Sequence, residues 1–255
     1  ARAQGAEIVV AVGGDGTSNE VINGLMAYAN GGQAGTMACI HAGSGNDFAA
    51  GNGVPEDVEA ACRLIAQGHT RNVDVGLLTL DGSQSLYFGN TFGMGFDGLV
   101  TTEVRKNQRA RGMALYLPAV LRTIFLTMTP MQVELEVDGA KRSCESLMMT
   151  VANGPREGHT FFVAPNARSN DGLLDMIVVG NMSKLGMLVL LPRVMAGTHL
   201  SHPRVSEIKA RHIVVRSERP MALHMDGETP RPSVRTVDVQ VVPGVLRLIA
   251  PPPAS

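Results

Sequence analysis

Residues 8–12 form an all-apolar run that opens directly into Gly13-Gly14-Asp15-Gly16-Thr17, and an amphipathic stretch follows with Val21, Ile22 and Leu25 on one face. A short buried strand, a glycine turn and a helix, in that order, is the repeating unit of a parallel sheet covered on its faces. Thr17 and Glu20 have capping-box spacing, which predicts that the helix starts at Thr17. The unit recurs as a strand over 36–41, a turn at Gly43-Ser44-Gly45-Asn46-Asp47 and more helix, and 55–66 reads as a further helix closed by Gly68.

After Gly68 the texture changes. Runs at 71–80 and 85–90 read as strands around Asp81-Gly82, and 132–137 leads into a second turn at Asp138-Gly139. Further strands are expected at 147–152, 174–179, 213–216, 221–225, 237–242 and 245–249, with helices over 113–126 and 183–195. Asp-Gly turns between short β-rich runs indicate hairpins in an antiparallel sandwich. The expected architecture is an α/β unit with a parallel sheet over residues 1–68, a larger β-rich antiparallel sandwich over 69–250, and a tail at 251–255.

Composition narrows the function classes. Lys and Arg (22) balance Asp and Glu (23) for a net charge of −1, which excludes a bulk electrostatic nucleic-acid binder. A hydrophobic content of 44% with 18% charged residues is that of a globular protein. Cys39, Cys62 and Cys144 lie far apart in no metal-ligand spacing, as expected for reduced thiols in a cytoplasmic protein. No signal peptide is recognisable, and no apolar run approaches the roughly 20 residues that span a bilayer. The run at 115–128 is interrupted by Arg122, and the one at 185–191 ends at Pro192-Arg193. The chain opens on Ala1 and reads as a processed product or a piece of something longer. Its seven histidines show no ligand spacing and are assigned no role.

The glycines of the first turn let the backbone approach a ligand, and free N–H groups at a helix start attract phosphate. The turn is neither a Walker A loop nor a GxGxxG turn. Asp15 would repel a phosphate unless a cation lay between them, and the economical cation is Mg²⁺ carried by a nucleotide; a tight structural turn accounts for the same residues. The second turn, on a neighbouring parallel strand, would face the same crevice. There Ser44 and Asn46 offer hydrogen bonds, although an Asx-type loop explains them as well.

Taken in order, Gly13 to Thr17 with Asn19-Glu20, Gly43 to Ala49, Gly93-Met94-Gly95-Phe96-Asp97, the basic stretch leading to Gly112 and Tyr116, Asn170-Asp171-Gly172-Leu173-Leu174-Asp175 and His224-Met225-Asp226-Gly227-Glu228 resemble the catalytic domain of the diacylglycerol kinase-like lipid kinases. That family includes soluble bacterial diacylglycerol kinases, sphingosine and ceramide kinases and YegS-type lipid kinases, and the resemblance covers almost the whole chain. It implies a phosphofructokinase/NAD kinase-like nucleotide-binding unit, ATP and Mg²⁺ as cofactors, and transfer of the γ-phosphate to a hydroxyl of a diacylglycerol-like membrane lipid. It further implies a cytoplasmic protein that touches the membrane peripherally and binds no nucleic acid, and it leaves a homodimer open.

The resemblance also implies roles for single residues. Asp15 would reach the Mg²⁺ of the nucleotide, with Gly14, Gly16 and Thr17 near the phosphates. Gly43, Ser44, Gly45 and Asn46 would line the nucleotide site. Asp97 would belong to the same charged network, where spacing alone also fits a helix N-cap. Asp171 would hold a second, structural Mg²⁺ with the carbonyls of Arg168 and Leu173, where a plain Asp-Gly turn is the other reading. Asp226 would be the general base and Glu228 a contact to the nucleotide, although Asp226-Gly227 also fits a hairpin turn. The cluster Arg105, Lys106, Arg109 and Arg111 suits an anionic membrane surface, a phosphate or plain solvent. The segment 185–195 suits a lipid entrance or a core helix.

Three departures accompany the resemblance. The family begins earlier, with a strand ending in an Asn-Pro-x-Ser-Gly turn that is absent here, so the 8–12 strand is expected as an exposed edge. Ser44 replaces the commoner threonine, and Gly98 stands where alanine is usual. An NAD kinase, which shares the Gly-Gly-Asp-Gly-Thr turn, and a catalytically silent lipid-binding remnant are the competing readings.

Overall fold

The computed structural model describes residues 2–29, 31–106 and 113–252. In chain order the elements are β1 (Ile8–Gly13), α1 (Asp15–Ala29), β2 (Gly35–His41), α2 (Asp47–Gly51), α3 (Val58–Gln67), β3 (Thr70–Leu80), β4 (Gln84–Phe88), β5 (Thr91–Gly95), α4 (Phe96–Arg105) and α5 (Met113–Leu126). They continue as β6 (Met131–Val137), β7 (Ala140–Ala152), β8 (Leu174–Gly180), α6 (Lys184–Met195), β9 (Val205–Ala210), β10 (His212–Met221), β11 (Leu223–Met225) and β12 (Val234–Ile249).

The sheet is mixed. β1, β2 and the end of β12 run parallel, while β12 also pairs antiparallel with β10 and β3, and a β-rich region extends through β6, β7, β5 and β11. β12 is thus shared by both halves of the molecule. The sequence reads it as two strands because Pro243-Gly244 looks like a break. It is instead a bulge, with Gly244 at φ 55° and its N–H donated to buried Asp74 at 2.7 Å. Among the described residues β1 pairs with β2 alone and exposes Ile8, Val10 and Val12, the edge expected from the sequence.

Other boundaries moved for local reasons. α1 begins at Asp15 rather than Thr17, because Ser18 N–H already donates to the Gly14 carbonyl and the Thr17 side chain folds back over Gly13 instead of capping. α3 starts at Val58, where Asp57 caps it by accepting from Ala60 N–H at 2.8 Å, and it ends at Gly68 in the left-handed conformation. The 85–90 strand is cut at Gly89, where the chain passes too close to Ile22 for any side chain, and β5 begins two residues later. The 221–225 strand is divided at Ala222, after which β11 leaves the β10 ladder to pair with β5. β9 has no counterpart in the sequence reading.

Among the described residues three large apolar clusters follow, besides a small one of Ala38, Leu64 and Ile249 under α3. One lies inside the β-rich region around Phe88, Phe92, Met149 and Leu223. A second, around Ile22, Met37, Val75 and Leu248, binds α1 to the parallel strands and the end of β12. The third joins α4, α5 and α6 to β7 and β8 through Val100, Ile124, Ile177 and Leu190. The three cysteines are free. Among the described residues no helix is long and apolar enough to cross a membrane.

Candidate functional site

The two glycine turns are stacked backbone on backbone. A Cβ on Gly43 would stand 2.3 Å from Gly14 Cα, and the Ala42 N–H donates to the Gly13 carbonyl at 3.0 Å. Their shared crevice is a cleft lined by Gly14, Asp15, Gly16, Gly43, Ser44 and Gly45, and from distant sequence by Asp226 and Glu228. The strand ends of the parallel unit and the 226–228 turn therefore meet, as the resemblance implies.

Two residues of that set are turned away. Thr17 is spent on Gly13, as described above. Asn46 sits at φ 58° and bonds its own turn, accepting from Gly43 N–H at 3.0 Å and donating to the Gly43 carbonyl at 2.9 Å. Asp47, which the sequence reading did not single out, takes a place in the cleft instead.

The acids of the cleft lie over Gly45. A Cβ there would be 2.6 Å from Asp15 Oδ2 and 3.2 Å from Asp47 Oδ2. Asp15 Oδ1 accepts from Phe48 N–H at 3.0 Å and Asp47 Oδ1 from His159 N–H at 2.9 Å. Burial raises Asp15, and burial together with the Asp15 charge pushes Asp47 up to about 6. Arg156 stands 3.7 Å from Asp47 Oδ1. Among the described residues no cationic group reaches the two Oδ2 atoms. A floor without a Cβ beneath two acidic side chains that share one arginine fits a hard divalent cation.

Asp226 is held differently. It lies in the left-handed region at φ 47°, buried, with its carboxylate in a cage of N–H donors. Oδ1 accepts from Asn90 and Thr91 N–H at 3.0 and 2.9 Å, and Oδ2 from Gly89 N–H and Asn19 Nδ2 at 2.9 and 2.8 Å. Burial raises its pKa, and these donors oppose the rise. Glu228, half-exposed, lies against Gly16 at the start of α1 and is ion-paired with Arg105. Lys106 and Arg122 pair with Glu103, while Arg109, Arg111 and Gly112 lie outside the described residues.

Asp97 lies in the first turn of α4, but Gly95 occupies the cap position. Its Oδ2 accepts from Thr150 Oγ1 at 2.7 Å and stands 3.0 Å from His224 Nε2, and Glu157 Oε1 stands 3.1 Å from the same nitrogen. Gly93 on β5 faces His224 on β11, and a Cβ there would collide with both His224 and Asp97. Burial alone would lower His224, but Glu157 and Asp97 outweigh it and hold the imidazole at about 9. Burial and the Asp97 charge push Glu157 up to about 8. Burial opposes the charge on Asp97, yet the imidazolium keeps it below the ordinary range. Neither Glu157 nor His224 was legible as a functional residue, because nothing in their spacing marks them; only the β5–β11 register brings them together.

A second, apolar pocket opens beside the cleft. Phe96, Val120, Ile124, Met187, Leu190 and Val194 are among its walls. α6 thus contributes both to the apolar cluster and to this pocket. Thr101, Tyr116, Glu157 and Gly158 line both cavities.

The residues expected to hold a second cation lie apart. Asp171 Oδ1 accepts from Leu173 N–H at 3.1 Å, and Lys209 Nζ stands 3.3 Å from Asp171 Oδ2 and 3.0 Å from Asp175 Oδ1. Asp171 and Arg168 share a shallow surface depression with Lys209. The Lys209 ammonium thus lies beside both carboxylates, while the other two expected ligands, at Arg168 and Leu173, are backbone carbonyls. Gly98 is explained by packing: a Cβ would stand 2.4 Å from Leu223 N, where α4 lies on β11.

Comparison with known proteins identifies the family and the fold. Residues 1–78 match the diacylglycerol kinase catalytic domain, and residues 90–250 match the YegS C-terminal NAD kinase beta sandwich-like domain. A protein of Chromohalobacter salexigens named "Probable lipid kinase YegS-like" is 30% identical over 246 residues, 95% of this chain and 76% of that one. The diacylglycerol kinase of Mycobacterium tuberculosis (strain ATCC 25618 / H37Rv) is 28% identical over 254 residues, 98% of this chain and 78% of that one. The crystal structure of a diacylglycerol kinase from Bacillus anthracis shares the fold with a TM-score of 0.70 at 23% identity, covering 98% of this chain and 78% of that one.

Proposed function

The chain belongs to the diacylglycerol kinase- and YegS-like lipid kinases, and from that premise we propose that it transfers the γ-phosphate of ATP to the hydroxyl of a diacylglycerol-like lipid at a membrane surface. One observation carries the reading: the acidic, glycine-floored cleft and the apolar pocket meet along Thr101, Tyr116, Glu157 and Gly158. A lipid with its chain in the pocket presents its head to the cleft.

In this reading the α/β unit over 1–68 is phosphofructokinase/NAD kinase-like and takes the nucleotide, and 69–250 takes the lipid. Gly14, Gly16, Gly43, Ser44 and Gly45 allow close approach of the phosphates, while Thr17 and Asn46 shape the turns that do so. Glu228 borders the nucleotide beside the start of α1. Asp15 and Asp47 would hold the Mg²⁺ that comes with ATP, which would supply charge neutralisation at the transferring phosphoryl group. Asp226 takes the acceptor proton, which requires one of its four N–H partners to yield to the hydroxyl. Asp97 keeps Glu157 and His224 in place at the boundary of the two cavities. No step is assigned to Asp171, Arg168 and Leu173.

Membrane contact follows from the helices around the pocket. Phe125 and Leu126 on α5 and Leu185 and Val189 on α6 are exposed apolar side chains on the two helices that wall it. A cytoplasmic protein resting on the bilayer through this end would take its acceptor directly from the membrane.

The experiment incubates the chain with ATP, Mg²⁺, lipid vesicles and NAD, and follows added phosphate by mass spectrometry. Phosphorylated lipid is expected from the wild type. Asp15→Asn keeps an oxygen for the Phe48 N–H but removes the charge, and should lower kcat by about 10²–10³-fold. Phosphate appearing on NAD and not on lipid, or a full rate in Asp15→Asn, overturns the reading.

A further inference from the structure

Among the described residues Glu157 is the one carboxyl group that lines both the acidic cleft and the apolar pocket. Its backbone is pinned by a two-way bridge, with Glu157 N–H donating to the Phe161 carbonyl at 2.8 Å and Phe161 N–H returning to Glu157 at 3.1 Å. Its side chain is pinned at one end only. Oε1 rests 3.1 Å from His224 Nε2, whereas Oε2 is shut off from water and has no partner in the protein. A buried polar atom without a partner is costly and rare in native structures, and because the Glu157 side chain borders both cavities, a small turn of its carboxyl group brings Oε2 to a ligand atom.

The acceptor's route defines which ligand atom that is. With the chain among Val120, Ile124 and Leu190 and the hydroxyl in the cleft, the part of the lipid that passes Glu157 is the linkage between chain and head. In an acylated alcohol that linkage carries a carbonyl, which accepts hydrogen bonds but donates none. A neutral carboxyl group is its complement. The imidazolium on Oε1 and the ionised Asp97 behind it leave the proton on the outer oxygen, in keeping with a carboxyl pushed up to about 8.

Resting on the lipid-kinase reading of the same site, we propose that Glu157 is the acceptor-reading residue: its Oε2–H donates to the carbonyl that links the acyl chain to the hydroxyl-bearing backbone, so the enzyme favours acylated alcohols over ether-linked ones. Glu157 orients and selects; phosphoryl transfer itself is left to the groups in the cleft.

The test uses mixed micelles of 1,2-dioleoylglycerol or of the matching dioleyl ether, which lacks both carbonyls. The wild type should show a KM about tenfold lower for the ester, the worth of one hydrogen bond, with similar kcat. Glu157→Leu should raise the ester KM to the ether value without changing ATP affinity measured in the absence of lipid. Glu157→Gln, whose amide still donates outward and accepts from His224, should keep the preference. A wild type indifferent to the ester overturns the proposal without any variant, and so does a folded Glu157→Leu that keeps the tenfold ratio. A wild type that phosphorylates ester and ether equally leaves the lipid-kinase reading standing. A wild type that phosphorylates no lipid removes that reading and the proposal with it.

Discussion

Two glycines carry two acidic clusters, and the protein treats them in opposite ways. Over Gly45 the acidic groups of Asp15 and Asp47 are served, among the described residues, by Arg156 alone, which stands 3.7 Å from Asp47 Oδ1. Over Gly93 the carboxylates of Asp97 and Glu157 share the imidazole of His224. Like charges left facing in a cleft are costly unless something arrives from solvent to neutralise them, whereas a cluster that brings its own cation needs no second one. In the proposed function the difference separates a site that would take its cation with the nucleotide from one that would position side chains beside the acceptor.

Filling each glycine tests the contrast most strongly. Gly45→Ala places a methyl group 2.6 Å from Asp15 Oδ2, the free end of a side chain that can move aside. Displacing that oxygen by about 1 Å should cost about 10²-fold in kcat and leave thermal unfolding nearly unchanged. Gly93→Ala places its methyl group 2.2 Å from Asp97 Oδ2 and 2.3 Å from His224 Nε2, two groups already packed against each other where α4 and β11 meet β5. It should destabilise the protein by about 3 kcal/mol, read from a denaturant midpoint. If Gly45→Ala unfolds the protein while Gly93→Ala only slows it, the assignment of the two clusters is reversed.

The contrast also explains what the sequence conveyed. The Gly45 cluster was legible because its parts are local: a strand, a glycine turn and a helix start dictate where Asp15 goes, and a second such turn supplies the partner strand. Even so, Asp47 was passed over and Asn46 chosen, because sequence cannot say which polar residue of a turn is consumed by the turn itself. Of the Gly93 cluster only Asp97 was legible, because Asp97, Glu157 and His224 come from a helix, a loop and a strand, and only the pairing of β11 with β5 joins them. β12 hid for a related reason, since Pro243-Gly244 reads as a stop unless the Asp74 carboxylate that stabilises the bulge is known.

pH gives a second, smaller separation. Folding holds Glu157 at about 8 against an ordinary 4.5, and His224 at about 9 against 6.5. Both protons are kept more tightly in the folded state, so their stabilisation is complete below the unfolded values and is lost as pH rises through about 8 and about 9. Urea midpoints should therefore fall between pH 6 and pH 9.5, and Glu157→Gln and His224→Gln should each flatten the fall, because the two groups titrate as a coupled pair. Equal slopes in the wild type and both variants would show that the cluster over Gly93 is not what titrates.

The smallest effect is the sharpest test of whether the clusters are separate. Thr150 Oγ1 donates to Asp97 Oδ2 at 2.7 Å, and Val is its nearest isostere. Thr150→Val removes a hydrogen bond to a charged acceptor and should cost about 1.5 kcal/mol. Combined with His224→Gln it should depart from additivity by at least about 0.5 kcal/mol, because both changes act on the same carboxylate. Combined with Asp15→Asn it should add to within about 0.3–0.5 kcal/mol, since Asp15 shares no hydrogen-bond partner with Asp97. Coupling of Thr150 to Asp15 as strong as its coupling to His224 would mean that the acids form one network, and that the bound cation reaches the acceptor side through it.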